Sequence, residues 1–390
     1  MRWSETVSLA LRQSLRIWIL GSVGVLFSVA SHAIVVPGQL FGPPTMTSIG
    51  AGYTYVATGD MNADGLSDIV ATSEGSDALF VILNSPSGFG SPVTYGTPAD
   101  PQSVALGDVD GDGDLDAVAC SYGPFGGPSQ VSVRKNDGTG ALGPRTDYAT
   151  DYSAKAITLS DLDGDGDLDA AHTRLGTPNE VRVRFNDGSG GFGSETVYPV
   201  GAGPIFVAAA DLNVDGKMDL VTANYIDDNL TVLLGSGGGG FAPGVPIPTA
   251  NYPTTAIPVF LNGDACPDLI VVGDDSDDFR VLINDCTGLS YAETAYPTVT
   301  ASPDYCAVGD YDGDCDPDLA IATRDGANPI EIYLNQGSGT FVFDAAYSSD
   351  GIRPGTIATA DLDLDGDLDL VAGAYYAGSI SVLRNITGEP

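Results

Sequence analysis

Histidine is nearly missing from this 390-residue chain: His32 and His172 are the two it has. So small a supply leaves no nucleophile–His–acid set to read in the sequence. Cations are scarce as well. Lys and Arg number 15 against 52 Asp and Glu, for a net charge of −37. An acidic surface of this kind repels the phosphates of nucleic acid and the anionic face of a membrane, and argues against both as partners. No C-x-x-C spacing occurs among the five cysteines, so nothing suggests zinc. Beyond residue 33 no segment sustains a helical apolar period, and the expectation is an all-β chain.

Long apolar runs are also few. Ile17 to Ala30 is shorter than the roughly 20 residues a spanning helix needs. Arg2, Arg12 and Arg16 precede it and Ser31-His32-Ala33 follows, the order of parts in a secretory signal peptide over residues 1–33. The alternative is an uncleaved signal anchor. A signal peptide predicts a secreted protein, extracellular or in the cell envelope, with residues 34–390 as its one domain and no membrane insertion after cleavage.

What the chain has in excess is aspartate, and it is patterned. A nonapeptide of the form D-x-[D/N]-x-D-G-x-x-D begins at 60, 108, 161, 211, 260, 310 and 361, in steps of 48 to 53 residues. These seven segments hold 28 of the 52 acidic residues. Carboxylates packed so closely repel one another unless a cation sits between them. Oxygen ligands at positions 1, 3, 5 and 9, with a backbone carbonyl near position 7, suit calcium. Glycine at position 6 permits the tight reversal. The start resembles an EF-hand loop, but an EF-hand needs Glu at position 12 and flanking helices. Here strand-like runs follow, such as Ile69-Val70-Ala71 and Leu370-Val371-Ala372.

The predicted ligands are Asp60, Asn62, Asp64 and Asp68; Asp108, Asp110, Asp112 and Asp116; Asp161, Asp163, Asp165 and Asp169; and Asp211, Asn213, Asp215 and Asp219. Asp310, Asp312, Asp314 and Asp318 follow, with Cys315 where glycine belongs, and then Asp361, Asp363, Asp365 and Asp369. The copy at Phe260 lacks the first carboxylate, so Asn262, Asp264 and Asp268 predict a weak or empty site. Six Ca2+ sites are expected. Cys266 in that loop and Cys286 in the later turn of the same repeat are expected to form a disulfide.

Each period repeats one order of parts. A small-residue strand (Ser103–Gly107) leads into the nonapeptide and an apolar strand leaves it. After a variable loop comes an alternating strand, such as Val131–Arg134 or Val181–Arg184, the mark of a half-buried strand. A glycine-bearing hairpin follows (Asn136–Gly140, Asn186–Gly190), then a strand that opens near Phe-Gly and ends in tyrosine, at 89–95, 142–148, 192–198 and 341–347. Four strands repeated seven times predict a seven-bladed β-propeller of four-stranded blades. Phe41 to Thr47 is an orphan fourth strand, and the last period lacks one. Donating it there closes the ring and hides an open edge.

Phe41-Gly42, Phe89-Gly90, Phe192-Gly193 and the seven acidic nonapeptides resemble the FG-GAP and VCBS repeat family, which includes the integrin α-subunit head. That resemblance implies calcium bound by the acidic loop between the first two strands of each blade. It implies little about chemistry, since one fold hosts many functions.

With similar sites spread around a ring, calcium is expected to be structural, its binding energy being folding energy. Ligand binding is expected on the opposite face, in the loops that vary. Candidates there are Tyr122 and Phe125, His172 and Arg174, Tyr225, Asp227 and Asp228, Asp274 to Asp278, Arg324, Tyr375 and Tyr376. The leading functional expectation is a binding or adhesion module for glycan or an extracellular protein. A scaffold without small-molecule ligand is the second reading. The third is an enzyme, a calcium-assisted polysaccharide lyase or another carbohydrate-active enzyme; no catalytic constellation is visible, and the leading expectation is no enzyme.

Overall fold

The computed structural model describes residues 39–123, 129–151, 153–351, 353–376 and 378–387. Residues 1–33, where a signal peptide is expected, and Phe125 lie outside the described residues. The described chain forms seven four-stranded antiparallel sheets, six of them paired in chain order from inner to outer strand and the last completed by the N-terminal strand. Inner strands of consecutive blades lie side by side, and the first blade's adjoins the last blade's, so the sheets form a ring. Besides a 3₁₀ turn at Glu74–Ser76 the described residues hold no helix, and so none that is long and apolar enough to cross a membrane.

The second strand of every blade, Asp68–Ser73 in the first and Asp369–Ala374 in the last, is buried along its whole length. Both of its faces pack against neighbouring blades, which is why most of these strands read as apolar or small residues after the leading aspartate, the third blade's His172 and Arg174 being exceptions. Seven hydrophobic clusters fill the seven gaps between blades. Between the third and fourth, for example, Leu162, Ala171, Val181 and Val183 meet Val207, Leu220 and Leu233. Inner strands carry small residues because they crowd toward the axis. A Cβ on Gly107 would come within 2.6 Å of Leu168 in the next blade, and one on Gly309 within 2.7 Å of Leu368.

Closure is as the strand count predicts. Thr45–Ser48 pairs with the third strand of the last blade, Ser379–Leu383, with Thr45 opposite Val382, and a further bridge joins Phe41 to Asn385. The outer strands begin later than expected. They run Val93–Gly96, Thr146–Thr150 and Thr196–Pro199, with Phe341–Tyr347 alone starting at its phenylalanine. In blades two and three the aromatic or aliphatic opener makes one bridge to an asparagine (Asn136–Leu142, Asn186–Phe192) and then turns into the core.

The tyrosines that end these strands have a job the repeat pattern alone does not reveal. Tyr95 accepts a hydrogen bond from the Leu142 backbone N–H at 3.1 Å, and Tyr148 accepts one from Phe192 at 3.0 Å. Each fastens its blade to the hairpin of the next. The disulfide between Cys266 and Cys286 is present; Cys120 and Cys306 are free and buried, and Cys315 is free and exposed.

Candidate functional site

The acidic loops join inner to second strands, all at one end of the blades. Position 1 holds its loop together from within: Asp108 Oδ1 accepts from the backbone N–H of Gly111 at 2.7 Å and its Oδ2 from Gly113 at 2.9 Å. Position 5 accepts from the N–H of position 7, as Asp165 does from Asp167 at 3.0 Å. Position 9 behaves differently from a simple ligand. Asp68, Asp116, Asp169, Asp219, Asp268, Asp318 and Asp369 are all fully buried. In every blade Oδ2 takes the N–H of position 2 at 2.8 to 3.1 Å. Oδ1 takes an N–H just past the third strand at 2.6 to 2.8 Å. This aspartate therefore cross-ties three segments of its blade whether or not it also faces an ion.

Do these donors fit a hard cation? In four loops three carboxylate oxygens lie within 4.8 Å of one another: Asp108, Asp110 and Asp116; Asp161, Asp163 and Asp169; Asp310, Asp312 and Asp318; Asp361, Asp363 and Asp365. Asp110 Oδ1 is buried without a hydrogen-bond partner. Burial pushes the carboxyls of Asp116, Asp169 and Asp318 up to about 6 against their hydrogen bonds, and neighbouring aspartates add to it. Convergent, partly orphaned oxygens that resist sharing negative charge fit a divalent cation.

The other loops differ in detail. In the loops at 60 and 211, Asn62 and Asn213 donate through Nδ2 to Asp64 and Asp215. In the last blade Arg384 reaches Asp363 at 3.5 Å and Asp369 at 2.7 Å, so a guanidinium supplies part of the positive charge. The copy at Phe260 keeps two carboxylates, Asp268 and an Asp264 that stands beside Cys266 and Cys286, whose sulfurs are joined. The same pair of positions meets in other blades without a covalent bond. A Cβ on Gly138 or Gly188 would lie 2.6 Å from Asp114 or Asp167, and Thr387 donates to Asp367 at 2.7 Å. The disulfide crosses the loop where one acid of the nonapeptide has been lost.

Cys315 keeps the geometry of the glycine it replaces. It adopts φ 72°, and its N–H donates to Asp310 Oδ2 at 2.9 Å. Position 6 is not the sole reversal, however. Position 4 is left-handed in every loop, including Ala63 (φ 56°), Val214 (φ 57°) and Leu364 (φ 62°), where no glycine signals it.

The asparagine after the third strand escaped sequence reasoning because a single Asn in a turn looks ordinary. Asn84, Asn136, Asn186, Asn284 and Asn385 each donate through Nδ2 to the position 2 carbonyl of the preceding blade, at 2.5 to 2.9 Å. Blade four has Gly235 instead, and the Gly238 N–H bonds to the Asp163 carbonyl at 3.1 Å across the same gap.

At the opposite end of the same strands lies a cavity of about 960 Å³. The inner-strand register slips just after the strand's start in blades two to seven. Such a bulge re-aims one side chain. Gln102, Lys155, Ile205, Thr254 and Asp304 stand at these slips and line the cavity, joined by Tyr53 from the unbulged first blade. One backbone position thus presents a different chemistry from each of six blades, while the seventh has Gly355 there.

Loop residues complete the wall. Tyr225, Asp274, Arg324, Tyr375 and Tyr376 line it as expected. Arg324 pairs with Asp274 and lies 5.4 Å over the Tyr375 ring. Lys155 donates to Gln102 at 2.6 Å and lies 5.0 Å over Tyr53. The Tyr55 and Tyr305 hydroxyls meet at 2.7 Å deeper in. Burial raises the Asp304 carboxyl to about 6, Arg324 and Lys155 opposing and Asp274 reinforcing.

His172 and Arg174 do not line this cavity. Both lie on a second strand, Asp169–Arg174, and are buried. His172 Nε2 sits 3.1 Å from Glu195, which also pairs with Arg182 and Arg184 at 2.5 and 3.0 Å. A charged cluster lets these polar residues stand inside a blade. Nor does the cavity include Tyr122, Asp227 or Asp228.

Comparison with known proteins adds the following. Residues 60–119 and 310–372 match the FG-GAP-like repeat. No curated protein sequence matches the chain. Among solved structures, BBS1N in complex with ARL6DN, soaked with lead, superposes with a TM-score of 0.62 at 12% identity, over 90% of this chain and 98% of that one. A functionally unknown protein from Desulfotomaculum acetoxidans DSM 771 gives a TM-score of 0.54 at 15% identity, over 76% and 87%. These likenesses concern the fold. With seven blades that each carry an acidic loop at the same place, the chain is a seven-bladed β-propeller, two stretches of which match the FG-GAP-like repeat.

Proposed function

We propose that this propeller is a secreted binding module of the adhesion type, its blades fastened by calcium, that takes a glycan or an extracellular protein at the cavity opposite the acidic loops. The observation that carries the reading is the division of labour between the two ends of the blades. At one end seven loops repeat one backbone design; at the other, one equivalent position in six of the blades carries tyrosine, amide, ammonium, aliphatic, hydroxyl or carboxylate. Repetition suits a fastener and variety suits recognition.

Calcium in the loops at Asp60, Asp108, Asp161, Asp211, Asp310 and Asp361 would be held by carboxylates and amides at positions 1, 3, 5 and 9. There it offsets their mutual repulsion and joins loop to strand. The lyase alternative needs its ion beside the substrate, and loops and cavity lie at opposite ends of the same strands. That separation favours binding.

The test is thermal unfolding with and without a chelator. A site kept at a hundredfold saturation adds about 2.7 kcal/mol. Six such sites predict a fall in Tm of about 10 °C or more in excess EGTA, restored by calcium. An unchanged Tm would sink the fastener half of the reading.

A further inference from the structure

Resting on the binding-module reading, we infer that the mouth cavity selects a neutral, hydroxyl-rich ring, a sugar without a carboxylate, and that Asp304, Arg324 and Tyr376 are the residues that select it. Consider the charges first. Glu74, Asp100, Asp274 and Asp304 face the cavity against Lys155 and Arg324. Four acids against two bases leave an excess of two negative charges, on a chain that is already strongly acidic. An anionic ligand, a uronate included, enters against that field.

A cationic ligand is drawn in but finds its best partner occupied. Asp304 is flanked by Arg324, whose Nε lies 4.0 Å from Asp304 Oδ2, and feels Lys155 as well. An ammonium placed on Asp304 would sit against both of these cations.

A hydroxyl meets neither objection. Asp304 Oδ2 and Arg324 Nε, an acceptor and a donor, are buried in the cavity wall without hydrogen-bond partners. The two side chains keep 16% and 24% of their surface open. At that open part of the two groups one hydroxyl can accept from the guanidinium and donate to the carboxylate at the same time. Lys155 offers further donors, since its ammonium has three hydrogens and makes one hydrogen bond, to Gln102. Tyr376, 68% exposed at the rim beside Tyr375, supplies a flat apolar surface for a ring to stack on. Alternating donors and acceptors around an aromatic platform describe a pyranose better than a peptide, whose charged side chains would repeat the conflicts above.

The experiment is titration calorimetry of calcium-loaded protein with neutral oligosaccharides (xylo-, manno- and cello-series) and with oligogalacturonate. Asp304→Ala, Tyr376→Ala and, as a distant control, Val342→Ala on an outer strand are compared with the parent, folding being checked by melting curves. The expected result is binding of at least one neutral series and none of oligogalacturonate. Affinity should fall at least tenfold in Asp304→Ala and severalfold in Tyr376→Ala, with no change in Val342→Ala. Tyr376 is exposed, so its variant tests the site even where Asp304→Ala fails to fold. Preferential binding of oligogalacturonate, or neutral-sugar binding that Tyr376→Ala leaves untouched, would overturn the inference and leave the module reading standing. So would binding of an extracellular matrix protein, lost in Tyr376→Ala, with no sugar bound. Binding of neither sugar nor protein would overturn both.

Discussion

Val214 and Leu364 hold the left-handed position of their acidic loops, which glycine fills at Gly111, Gly164, Gly263 and Gly313. An L-residue in this region costs about 1–2 kcal/mol, and more awkwardly for a β-branched chain. Glycine relieves that strain but frees the unfolded chain, so the net gain is smaller. Val214→Gly should stabilise the protein by about 1 kcal/mol in urea unfolding, and Cys315→Gly likewise. The opposite outcome is expected at Gly235. A Cβ there would lie 2.3 Å from the Met218 carbonyl, so Gly235→Asn cannot restore the missing inter-blade tie and should destabilise. By contrast Asn186→Ala, which strands the Val109 and Leu168 carbonyls, should cost about 1–3 kcal/mol in the same measurement. Aspartate spacing made the loops legible in the sequence. The position 4 strain and the asparagine ties were not, because each depends on a backbone angle or a partner some seventy residues away.

At the level of single blades, the third enlarges the arginine–carboxylate pairing that the fifth makes between Arg280, Asp278 and Glu293. Glu195 accepts from His172, Arg182 and Arg184 in a mostly buried cluster that also draws in Glu180 and Asp151. Burial opposes its charge, but hydrogen bonds from His172 and Thr150, with the nearby charges of His172 and Arg184, win and hold it at about 2. A carboxyl depressed from an ordinary value near 4.5 contributes stability that is complete above that value and is lost as pH falls toward 2. Acid unfolding should steepen between about pH 4.5 and 2, and Glu195→Gln should flatten that interval while lowering stability at pH 7. A curve of unchanged shape in the variant would refute the assignment. Alternation in Val181–Arg184 predicted the strand correctly, yet a strand pattern marks arginines as exposed. They are buried here because the acids to pair with them come from the outer strand and the preceding blade. Outer strands were misplaced for a related reason: the Phe-Gly opener looks like strand but serves as a core plug.

For the whole molecule, the count of repeats and the orphan Phe41–Thr47 segment were enough to derive ring closure before any coordinate. What no pattern conveyed was the mouth, since a register slip decides which side chain faces the axis and leaves no mark in composition. Removing residues 39–48 should expose the edge of Ser379–Leu383. Size-exclusion chromatography with light scattering should then show self-association, together with a lower Tm; a monomeric variant with unchanged melting would contradict closure by this strand. The closing strand also sets how the ring bears load. Because Phe41 sits opposite Asn385, the polypeptide enters and leaves side by side at the end of the acidic loops. Tension applied across these two points would peel the seam one hydrogen-bonded pair at a time, as a zipper opens, and would not shear the whole row at once. Under such a load the seam would be the mechanical fuse, and it would give way first at the end of the blades farthest from the mouth.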